Sequence, residues 1–134
     1  MTGQDSIALA HAAAEAIRGL NHATRHQDGL DQPSAAYDVL SALSRAAAGL
    51  GQALTQITRY LDTALAGGHL GHDLGEDPAP AISSAGACLD SARLSAATLA
   101  SDLSTAQQQL ALINGRPRRS QDQPSPANRK PATS

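Results

Sequence analysis

The sequence predicts an all-α protein: an elongated antiparallel three-helix bundle followed by a disordered C-terminal tail. Three observations carry this. The first is residue choice. Among 134 residues there are 28 Ala and 17 Leu, but one Val, two Tyr and no Phe or Trp. Ala and Leu are among the strongest helix formers, whereas strands draw on β-branched and aromatic side chains that are scarce here. The second is periodicity, with apolar residues recurring at alternating spacings of three and four over two long stretches. The third is punctuation, because Gly and Pro cluster between these stretches and after the last of them.

The first helix is expected from about Asp5 to His26. Thr2 and Asp5 have the spacing of a capping box, and Ile7, Ala10, Ala14 and Ile17 mark an apolar stripe beside a second one of Leu9, Ala13, Ala16 and Leu20. Gly29 and Pro33 then interrupt the chain. The second helix is expected over 34–67, with Ser34 as N-cap. Ala36, Leu40, Leu43, Ala47, Leu50, Leu54, Ile57, Leu61 and Ala64 form a heptad seam. Val39, Ala46, Ala53 and Tyr60 widen that face, and Asp38, Arg45, Gln52 and Arg59 recur on the opposite, solvent side. Gly49 and Gly51 would allow a local bend, and Gly67-Gly68 ends the helix. The third helix is expected over 78–114, with Asp77 as N-cap and Pro78 at the first helical position. Its seam is Ile82, Ala85, Leu89, Ala92, Ala96, Leu99, Leu103, Ala106, Leu110 and Ile113. Two heptad helices of similar length joined by about ten residues form an antiparallel hairpin. Residues 1–115 would then be the bundle, with the first helix packed along the hairpin. Residues 116–134 hold four Pro and no large apolar side chain, so they should be disordered and dispensable for folding.

Charge is segregated. The net charge is −2. Residues 115–134 carry Arg116, Arg118, Arg119, Arg129 and Lys130 against Asp122, a net +4, while five Arg against eleven acids leave residues 1–114 at −6. An acidic body with a basic tail is the main electrostatic feature. The N-terminal stretch lacks the basic region of a secretory signal, and no run approaches the ~18 apolar residues of a membrane span. The single cysteine, Cys88, excludes an internal disulfide and a cysteine-based zinc finger. The expected setting is the cytoplasm, with no membrane association.

Chemistry is sparse. The stretch "GHLGHDLGEDPAP" (68–80) concentrates His69 and His72 with Asp73, Glu76 and Asp77, and a His₂-carboxylate metal site could use such residues. Its spacing is neither that of a zinc protease helix nor that of a calcium loop. A capped turn accounts for the same residues, since acids ahead of a helix N-terminus are stabilised by ~0.3–1 kcal/mol each. His22 and His26 have i, i+4 spacing and are a second candidate pair, placed about a helix length away from the first, ~50 Å. The expectation is no bound metal at either pair. Cys88 should be half-buried with no base nearby, and Arg93 should lie along apolar surface or pair with an acid. No nucleophile motif or phosphate-binding loop is present. A core of Ala and Leu leaves no roomy pocket, so no catalytic residue, cofactor site or cofactor is expected.

The segments "AEAIRGLNHATRH" and "PSAAYDVLSALSRAAAGLGQALTQITRYL" resemble small Ala-rich all-helical proteins of high-GC actinobacteria, over roughly residues 13–113. The resemblance implies an all-α fold and cytoplasmic expression, and it supplies no active residues. The hairpin and length are also similar to the secreted helical hairpins of the W-x-G type, but the chain has no Trp. These readings converge on a non-enzymatic module for structure or protein–protein interaction, by self-association or with another protein, with Leu94, Leu112, Leu9 and Leu20 as candidates for a second interface. The alternative is a small accessory protein whose tail, through Arg116, Arg118, Arg119, Arg129 and Lys130, contacts nucleic-acid phosphates weakly and without sequence preference.

Overall fold

A capping box opens the first helix. The Thr2 hydroxyl accepts from the Asp5 N–H at 3.4 Å while the Asp5 carboxylate accepts from the Thr2 N–H at 2.7 Å. The computed structural model of the chain describes residues 1–26 and 29–115. Among them are three α-helices and no strand: α1 (Gly3–Ala23), α2 (Pro33–Ala66) and α3 (Ala79–Gln109). The all-α, three-helix architecture is thus the one expected. The tail, with Arg116, Arg118, Arg119, Arg129 and Lys130, lies outside the described residues.

The helix ends differ from expectation for identifiable reasons. With Thr2 as N-cap, α1 starts at Gly3 rather than Asp5, because the box itself defines the boundary. It stops at Ala23, short of His26. The Thr24 hydroxyl turns back to the Leu20 carbonyl at 2.9 Å, and the chain then folds tightly against the helix end. A Cβ on Gly29 would stand 1.8 Å from the Ala23 carbonyl oxygen, so only glycine fits there. Pro33, not Ser34, opens α2; its missing N–H costs nothing in a first turn. At the other end of α2 the His69 N–H donates to the Ala64 carbonyl at 2.9 Å and the Gly68 N–H to the Leu65 carbonyl at 3.0 Å. With Gly68 at φ 74°, this is a Schellman motif, the left-handed stop that glycine accepts most readily. Asp77 Oδ1 accepts from the Ala79 N–H at 3.0 Å, and Pro78 is already helical in its backbone angles, as the start signal implied.

The chain forms two units. One runs from Ala36 to Leu112 and holds nearly all of α2 with α3; the other holds α1 and, of the described residues, those up to 35 and 113–115. In the first unit α2 and α3 pack antiparallel. The Ser44 hydroxyl donates to the Ala100 carbonyl at 3.0 Å, and a Cβ on Gly51 would lie 4.0 Å from the Ala96 Cβ. This register sets Gln109 level with the start of α2. Past that level α3 has no facing turn, and it ends there, five residues before Asn114, in i→i−3 bonds from Leu110 and Ala111.

The contact line between the two helices also differs from the heptad seam. Among the described residues only Ala47, Ala64 and Ala96 are buried. Leu40, Leu54, Leu61, Leu89 and Leu103 are half-buried as seam residues, but Leu50, Ile57 and Leu99 are 51%, 48% and 49% exposed. Their places on the line are taken by Ser44, Gly51 and Thr58 on α2 and by Arg93 and Ala100 on α3, all half-buried. The reason is steric. Two lines with the same three-four spacing run side by side on each helix, and the one with small residues lets the backbones approach closely enough for direct contact and a hydrogen bond. Leu50, Ile57 and Leu99 are displaced to one flank.

Neither Gly49 nor Gly51 breaks α2, which is continuous over 34 residues. Nothing lies within 4 Å of a Cβ added at Gly49 or at Gly86. Gly49→Ala and Gly86→Ala are therefore expected to raise stability by about 0.5–1 kcal/mol each, the helix-propensity difference, and a urea titration of each variant checks it.

Candidate functional site

The loop between α2 and α3 is built mainly by its own backbone. Its first turn is the Schellman motif, and the His69 ring lies against Gly67, where a Cβ would come within 2.9 Å of the ring. A second turn closes with the Gly75 N–H donating to the His72 carbonyl at 2.8 Å, with Gly75 at φ 77°. His72 serves this turn directly: its Nδ1 accepts from the Leu74 N–H at 3.1 Å. With that acceptor engaged, the Nε2 of the neutral ring carries the proton. Nε2 stands 3.9 Å from a Glu76 carboxylate oxygen, in an exposed contact. Asp77 caps α3. Of the side chains that suggest a metal site, His72 is thus engaged in turn closure and Asp77 in capping.

His22 is on the last turn of α1 and His26 just beyond it; both are exposed. No group of three or more His, Cys, Asp or Glu side chains able to hold a metal ion is found among the described residues. An ordered zinc site would need partners for its histidines as well as the ordering of a glycine-rich loop, ~1–2 kcal/mol per residue. Protein purified without a histidine tag is therefore expected to carry no stoichiometric zinc, and His69→Ala with His72→Ala to leave its metal content unchanged. Elemental analysis and zinc calorimetry check this; one zinc per chain, lost in the double variant, would contradict it.

The hairpin has two unlike flanks. On one flank an open groove of about 290 Å³ is bordered by Thr55, Arg59, Asp62, Asp90 and Arg93, and a second of about 420 Å³ by Ala48, Gly51, Ala97 and Ala100. Arg93 pairs with Asp90, as expected, its Nη2 2.9 Å and its Nε 3.2 Å from Oδ1. The two side chains are 41% and 62% exposed, and such partly solvated pairs contribute ~0–1 kcal/mol. The Thr55 and Thr58 hydroxyls donate to the carbonyls of Gly51 and Leu54 on their own helix. The groove thus presents charges paired along a helix and hydroxyls engaged with the backbone, with no nucleophile and base side by side. Cys88 is exposed rather than half-buried, since the rotation of the contact line carries it away from α2.

The other flank is apolar. At about 100° per residue, Leu50 and Ile57 on α2 and Leu99 on α3 fall on the side of the contact line away from Thr55, Asp62 and Arg93. Around them are the exposed Ala46, Ala92 and Ala106. Tyr60, 66% exposed, borders the patch. Comparison with known proteins does not add a family. No family model, curated protein or solved structure matches the chain.

The apolar flank is the feature that sequence reasoning missed. Leu50, Ile57 and Leu99 were assigned to the seam by periodicity. The available signal was the second line beside it, Ser44, Ala47, Gly51 and Thr58, whose small side chains suit close helix contact. Of the second-interface candidates, Leu9, Leu94 and Leu112 are 58%, 54% and 93% exposed, and Leu20 is half-buried.

Proposed function

We propose that the chain is a non-enzymatic interaction module that binds through the apolar flank of the α2–α3 hairpin to a partner presenting an apolar helical surface of its own. The observation that supports this is the exposure of Leu50, Ile57 and Leu99 in one uncharged strip, while the Arg93–Asp90 pair and the Thr55 hydroxyl lie on the other flank. Amphipathic helices seek partners in this way, the affinity coming from apolar side chains at helical spacing. No group of three or more His, Cys, Asp or Glu side chains able to hold a metal ion occurs among the described residues. No helix among them is long and apolar enough to cross a membrane. The free thiol of Cys88 suits a reducing compartment, and the cytoplasm is the setting we assign.

A photo-crosslinking amino acid placed at Ile57 tests this in cells, with the same group at Gln52, on the opposite side of α2, as control. Adducts are expected at position 57 and not at 52; equal labelling at both, or none at either, would sink the reading.

A second reading rests on the segregated charge, −6 in residues 1–114 against +4 beyond. A basic tail that contacts nucleic-acid phosphates would show an affinity falling steeply with salt and independent of sequence, which a salt titration against duplex DNA measures.

A further inference from the structure

We infer that the occupant of the apolar flank is the same flank of a second copy, so that two α2–α3 hairpins form a two-fold four-helix assembly. This rests on the interaction reading above and names its partner.

The burial inside one hairpin is poor. Its buried residues are three alanines, each 5–7% exposed, and no side chain among the described residues is wholly enclosed. The missing apolar contact has to come from outside the α2–α3 interface. The flank is of adequate size for a copy. Helices of 34 and 31 residues at 1.5 Å rise, lying side by side with a width of ~10 Å each, present at most roughly 1,000 Å² per copy. Two copies would bury up to about 2,000 Å², the upper end of the ~1,200–2,000 Å² range for specific stable interfaces.

Charge permits the pairing. Seven charged residues occur on α2 and α3: Asp38, Arg45, Arg59, Asp62, Asp90, Arg93 and Asp102. By helical position six of them lie off this flank, and Asp102 lies at its margin. Two copies therefore meet without opposing like charges at the centre, as a self-complementary two-fold interface requires. The side-chain pattern fits as well. The large residues Leu50, Ile57 and Leu99 alternate with the small Ala46, Ala92 and Ala106, giving each copy knobs and matching holes of identical spacing. An identical hairpin matches both helices in length and separation at once.

Sedimentation velocity of the full chain over a wide concentration range tests this without any substitution, and a dye for exposed apolar surface is titrated in parallel. The expected result is a concentration-dependent dimer that Leu50→Glu with Leu99→Glu weakens by about 100-fold or more. Leu94→Glu, on the far side of α3, should leave it intact. A wild-type chain that stays monomeric and binds the dye overturns the inference but leaves the interaction reading standing. A monomer that binds no dye has its flank covered and overturns both. A dimer insensitive to the paired glutamates but broken by Leu94→Glu assembles through another surface and also overturns the inference.

Discussion

Ala96→Leu is expected to lower the melting temperature of the hairpin by several degrees or more. Ala96 is 5% exposed, and opposite it stands Gly51, where even an added Cβ would be at 4.0 Å. Leucine brings three more carbon atoms into a space set by backbone approach. Either the helices separate, losing the Ser44–Ala100 hydrogen bond, or the side chain adopts a strained rotamer. Overpacking of this kind costs about 1–3 kcal/mol. In a unit of this size each kcal/mol lowers the melting temperature by about 4–8 °C. Ala92→Leu is the control. Ala92 sits on the same helix but is exposed, and in a dilute, monomeric sample leucine there should leave the melt almost unchanged. Thermal circular dichroism of both variants decides the matter. An Ala96→Leu chain that melts with the parent would show that α2 and α3 do not approach closely at this level.

Leu54→Ala and Leu103→Ala should each destabilise by about 2–3 kcal/mol. Both leucines stay on the contact line that the structure uses, Leu54 on α2 and Leu103 on α3, and both are half-buried. Truncation of buried leucine costs about 2–5 kcal/mol, and partial exposure places these two at the lower end. Against a total of ~5–10 kcal/mol, either loss would populate unfolded chain. Leu50→Ala separates the structure from the heptad pattern. The pattern makes Leu50 a seam residue like Leu54, but it is 51% exposed. In a dilute, monomeric sample its truncation should cost less than about 1 kcal/mol. Urea midpoints at equal m-value give the three numbers. Equal losses at Leu50 and Leu54 would restore the heptad seam and remove the apolar flank.

How far the sequence could be read varies with the physics of each feature. Caps were legible because they are local. Thr2 with Asp5, Asp77 with Pro78, and Gly67-Gly68 each make their hydrogen bonds within a few residues, and all three are found. The end of α3 was not legible. Nothing near Gln109 stops a helix, and the chain leaves it where the facing α2 begins. The candidate metal loop could be read either way, since His72 as ligand and His72 as turn acceptor need the same residue. In the structure His72 serves the turn, its Nδ1 accepting from the Leu74 N–H at 3.1 Å.

The sequence by itself determined that this protein is helical, where its helices begin to within a residue or two, and which residues turn the chain between α2 and α3. Backbone propensity and short-range hydrogen bonds settle those matters, and both act over a few neighbouring residues. It also restricted the buried face of α2 and α3 to about a third of each helix. Only the tertiary structure decided which of two adjacent three-four lines lies inside that face. Hydrophobicity favours the line with Leu50, Ile57 and Leu99, and close packing favours the line with Ser44, Gly51 and Ala100. The choice depends on the distance between two backbones remote in sequence, which neither helix specifies alone. Close packing prevails, and the leucines left on the flank become the surface through which the protein is proposed to act.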